Sequence, residues 1–327
     1  MKRTVRRLAA LAAATGLLAS GCGLETSFAL PFDVAPGSIQ RVPELDGLGV
    51  AVGSKDFTEN QVLGYIAEVA LAAAGAEVRD MTNIQGSNSS RQALLTGDID
   101  LSWDYTGTGW ISYLGNTEPI PDEKAQFEAV RDADLAANGL RWLDYSAVNN
   151  TYAFAVTKDF ARANNLTTTS DMAALVRDSP DKAVFCLETE FISRNDGFPG
   201  VAAAYGFDAK TAQVKTFGTG TIYTATADGL CNFGEVFTTD GRILALDLVV
   251  LEDDKKFFPQ YNASVVLRSD FDTAHPQVRE IMAPIVAKLD NDTIRGLNAE
   301  VDVDGRDPAV VARDWMVREG FVSLPPA

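Results

Sequence analysis

The chain of 327 residues carries 45 acidic and 28 basic side chains, a formal charge of −17, three cysteines and a single histidine. Its length suits two domains or one large lobed body, and its 46% apolar content excludes wholesale disorder. The acidic balance argues against a nucleic-acid binder, and one histidine rules out His-rich metal sites and leaves little for a Ser-His or Cys-His pair, so catalysis is disfavoured.

The N-terminus reads as an export signal. Lys2, Arg3, Arg6 and Arg7 precede an apolar run from Leu8 to Leu18, too short for a stable membrane span. The run ends in Leu17-Leu18-Ala19-Ser20-Gly21-Cys22, which resembles a bacterial lipobox with its leucine one place early; the bland alternative is a secretory peptide with an incidental cysteine. Residues 1–21 are thus expected to be removed, taking the charge from −17 to −21, with Cys22 carrying lipid and residues 22–47 acting as a tether. Several acyl chains would hold the body on the outer side of the cytoplasmic membrane. Cys186 and Cys231 remain, and an oxidising compartment favours a bridge between them.

Beyond the tether, Gly49 to Gly53 reads as a buried strand. Thr58 and Gln61 give a capping-box signal for a helix over Gln61 to Ala74, ending near Gly75. Val78 to Asn83 is a second strand, and Ser89 or Ser90 caps a helix stopped by Gly97. Ile99 to Tyr105 alternates like a half-buried strand. Strand and helix in alternation imply a mostly parallel sheet with ligands beyond its carboxyl edge, where Lys55 and Tyr105 to Thr108 fall. A second block, Phe154 to Leu251, holds strands at Ala183–Cys186, Gln213–Phe217 and Leu244–Leu251, with a glycine-rich turn from Arg194 to Gly200 and a segment Asn232 to Phe237. His275–Leu297 and Pro308–Glu319 read as amphipathic helices.

Several stretches in order resemble the OpuAC/ProX-like substrate-binding proteins of ABC importers for glycine betaine, carnitine and choline. They are Gly53 to Glu59, Ser89 to Leu94, Gly97 to Asp100, Trp103 to Thr108, Phe191 through Gly197, Thr238 to Ile243, and Leu297-Asn298 through Val301-Asp302. The resemblance implies an α/β, two-lobed periplasmic-binding-protein-like fold of type II, each lobe a mixed sheet flanked by helices, closing about a hinge with two crossovers. Lobe 1 would comprise 48–150 and 260–327, lobe 2 would comprise 151–259, and the crossovers would lie near Asn150-Thr151-Tyr152 and Gln260-Tyr261-Asn262. It places Tyr105, Tyr152, Phe237 and Tyr261 in an aromatic cage, with Asn150 where relatives can carry an acid, and Lys55, Arg194 and Thr108 at a ligand carboxylate.

A quaternary ammonium donates no hydrogen bond, so aromatic faces suit it, each worth roughly 0.5–2 kcal/mol. Choline has no carboxylate and would leave Lys55 and Arg194 uncompensated, so betaine-type zwitterions are expected to be preferred over choline. The resemblance also implies a monomeric receptor that performs no chemistry, needs no cofactor or metal, binds no nucleic acid, and hands its ligand to permease subunits. Rival readings are a receptor for choline, carnitine or another small molecule, and an envelope hydrolase, for which His275 would be the only imidazole base. Tyr65, Tyr145, Tyr223, Trp103 and Trp110 read as packing residues, Arg242 as a turn cation paired with an acid, the Gly218–Gly220 turn as no phosphate loop, and Glu252 to Asp254 as a solvated turn.

Overall fold

A computed structural model describes residues 30–325. The expected signal peptide and lipid-bearing Cys22 lie outside the described residues. The strands in chain order are β1 (Ala35–Pro36), β2 (Gly49–Lys55), β3 (Glu77–Ile84), β4 (Leu101–Tyr105), β5 (Leu140–Asn149), β6 (Tyr152–Thr157), β7 (Val184–Leu187), β8 (Gln213–Thr216), β9 (Phe233–Phe237), β10 (Leu248–Leu251), β11 (Asn262–Arg268) and β12 (Val322–Ser323).

Ten of them form two five-stranded sheets, ordered β3-β2-β4-β11-β5 and β10-β6-β9-β7-β8. Both repeat one pattern. Three parallel strands, with the first in sequence at the centre, are joined by a fourth running antiparallel and a fifth antiparallel to the fourth. The fourth strand of each sheet, β6 or β11, arrives directly from the other lobe. Each sheet is therefore mixed rather than mostly parallel, and the two-lobed α/β architecture is the one the resemblance implies.

Helix Thr58–Ala74 is apolar nearly all round because it is buried nearly all round, between the first sheet and helix Pro308–Arg318. Gly75 closes it in the left-handed conformation at φ 110°. Its expected capping box is absent: Phe57 is the N-cap, and Thr58 donates instead to Asp302. Helix Ser87–Thr96 likewise starts at Gly86, earlier than Ser89 or Ser90. β4 is buried on both faces, not half-buried, as a central strand must be. The apolar run at 244–251 splits into helix Arg242–Ala245 and β10, leaving Leu244 74% exposed. The long C-terminal helix expected over 275–297 is instead Ser269–Ala274, Gln277–Val286 and Asn291–Asp302.

Residues expected to be tether pack on lobe 1, where β1 pairs with β12 and Leu45 is fully buried. Cys186 and Cys231 form a disulfide with sulfurs 2.03 Å apart. Among the described residues, no helix is long and apolar enough to cross a membrane.

Candidate functional site

The carboxyl ends of strands from both sheets converge on one cleft. β2 delivers Lys55, β4 delivers Tyr105 and the turn to Thr108, the residues after β7 deliver Arg194, and β9 delivers Phe237. The crossover from β5 to β6 brings Asn150 and Tyr152, and the one from β10 to β11 brings Tyr261. All eight residues predicted from the sequence line one cavity, together with Phe57 and Ser87.

The crossovers are laced together. Asn149 donates to Gln260 Oε1 at 2.6 Å and accepts the Tyr261 N–H at 2.8 Å, while the Asn150 N–H reaches the Tyr261 carbonyl at 3.2 Å. Beside them, Gly107 lets the backbone after β4 run under Tyr261, since a Cβ there would sit 2.7 Å from that ring.

The rings meet one another directly. Tyr152 and Phe237 lie opposite each other on β6 and β9, their centroids 5.0 Å apart, and Tyr261 stands edge-on to Tyr152 at 5.3 Å. Phe57 stacks on Phe237 at 5.2 Å and tilts against Tyr105 at 5.9 Å. Sequence reasoning missed Phe57, although it stands two residues beyond Lys55 in the same matched stretch. The space these side chains leave is about 20 Å³, room for one water, so a ligand must part the lobes to enter. Burial raises the pKa of Tyr105, Tyr152 and Tyr261, so all three present neutral phenol rings.

The cations already have partners. Lys55 Nζ is 2.7 Å from Asp104 Oδ1 and 5.2 Å from the Tyr105 ring centroid. Arg194 binds Asp196 through two nitrogens, at 2.7 and 2.5 Å, and Glu190 through a third at 2.7 Å, with its carbon 5.6 Å from the Tyr152 centroid. It reaches Thr108 only at 3.5 Å. Burial would raise the pKa of Glu190, but Arg194 and then Lys55 bring it below the ordinary value, so it remains an anion. Two buried cations thus face three acids, so neither is left uncompensated without a ligand carboxylate, and the expected penalty against choline loses its basis. Asp104 adjoins Tyr105, and Asp196 follows Arg194 by two residues. An acid that close to a buried cation was the available signal.

Several contacts fasten the lobes across the cleft. Glu190 Oε2 accepts the Ser87 N–H at 2.9 Å, and Tyr261 donates to Asp196 at 2.7 Å. Glu59 accepts from Tyr105 at 2.8 Å in its own lobe and from Thr239 in the other. Its pKa is raised by burial, against the lowering pull of these hydrogen bonds. Arg242 pairs with Asp240, as expected of a turn cation, and also with Asp302 at 3.3 Å. His275 packs against Phe271 at the end of its helix and is absent from the lining of the cleft. Among the described residues, no cluster of His, Cys, Asp and Glu has the geometry of a metal site.

Comparison with known proteins adds four findings. Residues 49–318 match the family model described as the substrate binding domain of ABC-type glycine betaine transport system. A glycine-betaine-binding protein of Pseudomonas aeruginosa is 34% identical over 270 residues, covering 81% of this chain and 86% of that protein. An ergothioneine transport permease/ergothioneine binding protein of Helicobacter pylori is 32% identical over 273 residues, 83% of this chain and 48% of that one. The crystal structure of a glycine betaine/carnitine/choline ABC transporter matches with a TM-score of 0.67 at 29% identity, covering 83% of this chain and 99% of its own.

Proposed function

The chain belongs to the family of substrate-binding domains of ABC-type glycine betaine transport systems, and from that premise we propose that it captures a quaternary ammonium osmolyte between its lobes. The family is one of transport binding proteins, not of enzymes, and its members work outside the cytoplasmic membrane. In this reading Tyr105, Tyr152, Phe237 and Tyr261, joined by Phe57, hold the ammonium. Lys55, Arg194 and Thr108 meet a carboxylate where the ligand has one, and Asn150 supplies a neutral polar edge. Lobe 1 is 48–150 with 260–327, and lobe 2 is 151–259. Cys22 carries the lipid anchor, and the closed monomer docks on permease subunits.

The observation that carries this reading is the convergence of five aromatic rings from five separated chain segments on one interlobe cavity. Aromatic faces attract a diffuse cation without asking it for a hydrogen-bond donor. The acids beside Lys55 and Arg194 make the site's charge nearly self-sufficient, so compounds with and without a carboxylate are both admitted. Calorimetry with glycine betaine, proline betaine, carnitine and choline tests this directly. Heat with glycine betaine, and with choline too, is the expected outcome; no heat with any of the four in a folded sample overturns it.

A further inference from the structure

A second cavity opens beside the cage. At about 330 Å³ it is far the larger, and it shares Lys55, Phe57, Ser87, Tyr152 and Phe237 with the cage, so the two are adjacent. Its remaining charged lining is uniformly acidic: Asp56, Glu188, Glu190 and Glu235. Glu190 is committed to Arg194 and to the Ser87 N–H. Glu235 is not. It is 95% buried on β9, one oxygen accepts the Glu188 N–H at 2.8 Å, and the other receives no hydrogen bond among the described residues. Glu188 similarly accepts the Glu190 N–H.

The strand sets the spacing. Glu235 and Phe237 are two residues apart on β9, so their side chains leave the same face about 6–7 Å from each other. Phe237 and its register partner Tyr152 mark the ammonium end of the cleft. Lys55 lines both cavities.

Resting on the aromatic-cage reading, we propose that this cavity is a second subsite for a cationic amine, and that the compound carried is a basic amino-acid betaine with its second positive group about 6–7 Å from the quaternary nitrogen. Burial, and then the charge of Glu188, raises the pKa of Glu235. A cation arriving beside this buried carboxyl would therefore favour its anionic form. Glycine betaine is too short to reach it.

Calorimetry with three probes separates this proposal from the reading beneath it: glycine betaine, the trimethylbetaine of lysine, and the trimethylbetaine of norleucine, which has the same reach without the amine. The lysine compound should bind about tenfold or more tighter than the norleucine compound, as a charge-assisted hydrogen bond provides. Glu235→Gln, which keeps an acceptor for the Glu188 N–H, should weaken the lysine compound about tenfold more than glycine betaine. Glu188→Gln, on a different element, should show the same differential and serves if Glu235→Gln fails to fold. Equal affinities of the lysine and norleucine compounds, or equal losses for all ligands in the variants, would overturn the subsite and leave the cage standing. Absence of binding by all three probes would overturn both.

Discussion

Closure can be blocked at a single atom. Gly241, in lobe 2, meets Ala299 of helix Asn291–Asp302, which packs with lobe 1. Its φ of −66° is ordinary for any residue, so the glycine is required for space alone. A Cβ at that position would stand 2.7 Å from both Cα and Cβ of Ala299 and 2.9 Å from its nitrogen. None of these atoms is the end of a flexible side chain, so Gly241→Ala must push the lobes apart or distort a helix. Overpacking of this kind costs about 1–3 kcal/mol, and here the cost falls on the closed form only. Affinity for glycine betaine should drop about 5–150-fold, because the ligand must now supply the energy of closing. Ligand-free thermal stability should stay within about 0.5 kcal/mol, since each lobe keeps its own core. Calorimetry gives the affinity, and small-angle scattering with saturating ligand should show a larger radius of gyration than the parent. Unchanged affinity would refute the requirement for this contact. An equal loss of ligand-free stability would show that the clash lies inside one rigid unit.

Asp104→Asn should release Lys55 and restore discrimination, raising the ratio of glycine betaine to choline affinity by about tenfold or more; a ratio unchanged in competition assays would show that the pair does not tune selectivity. Replacing both Cys186 and Cys231 by alanine removes a bridge across 45 residues and should lower stability by about 3–4 kcal/mol in denaturant unfolding, with ligand affinity retained. Glu68 is fully buried in helix Thr58–Ala74, with both oxygens lacking a donor, and burial followed by the charge of Asp80 raises its pKa to about 9. Between its ordinary value and about 9 the folded protein holds a proton that the unfolded chain has released, so stability falls as pH rises through that window. Glu68→Gln should therefore stabilise more at pH 8 than at pH 5, by on the order of 3 kcal/mol, and equal melting shifts at the two pH values would contradict this.

Of the proposed binding residues, Lys55, Tyr105, Thr108 and Arg194 were legible because each lies in a short matched stretch at or just after a strand end, and Asn150, Tyr152, Phe237 and Tyr261 because each stands at a strand end or a crossover. What chain order could not supply was compensation. Lys55 and Arg194 looked like free cations because Asp104 and Glu190 could be placed beside them only once the strands and the turn after β7 were folded. Phe57 escaped for a related reason: an aromatic ring just before a helix reads as a cap neighbour, and its stacking on Phe237 crosses between lobes. The capping signals at Thr58 and Ser89 failed because their hydroxyls had tertiary alternatives or lay inside the first turn. Helix Glu123–Asn138 and strands β5, β6 and β11 were unassigned from the sequence, where only the crossover residues beside these strands stood out.

The routing of β6 and β11 also sets an order of assembly. Every strand of the second sheet lies between residues 152 and 251, so that lobe can complete its hydrogen bonding, and its disulfide, from one unbroken stretch of chain. The first sheet cannot: β4 and β5 stand unjoined until β11 arrives from residues 262–268 to fill the gap between them, and β1 waits for β12 near the other end of the chain. Lobe 1 therefore closes last, through contacts of long sequence separation, which are the slow ones to form. Before that moment two strand edges are bare, and a chain crossing a membrane from its N-terminus passes through this stage with the hinge still unmade.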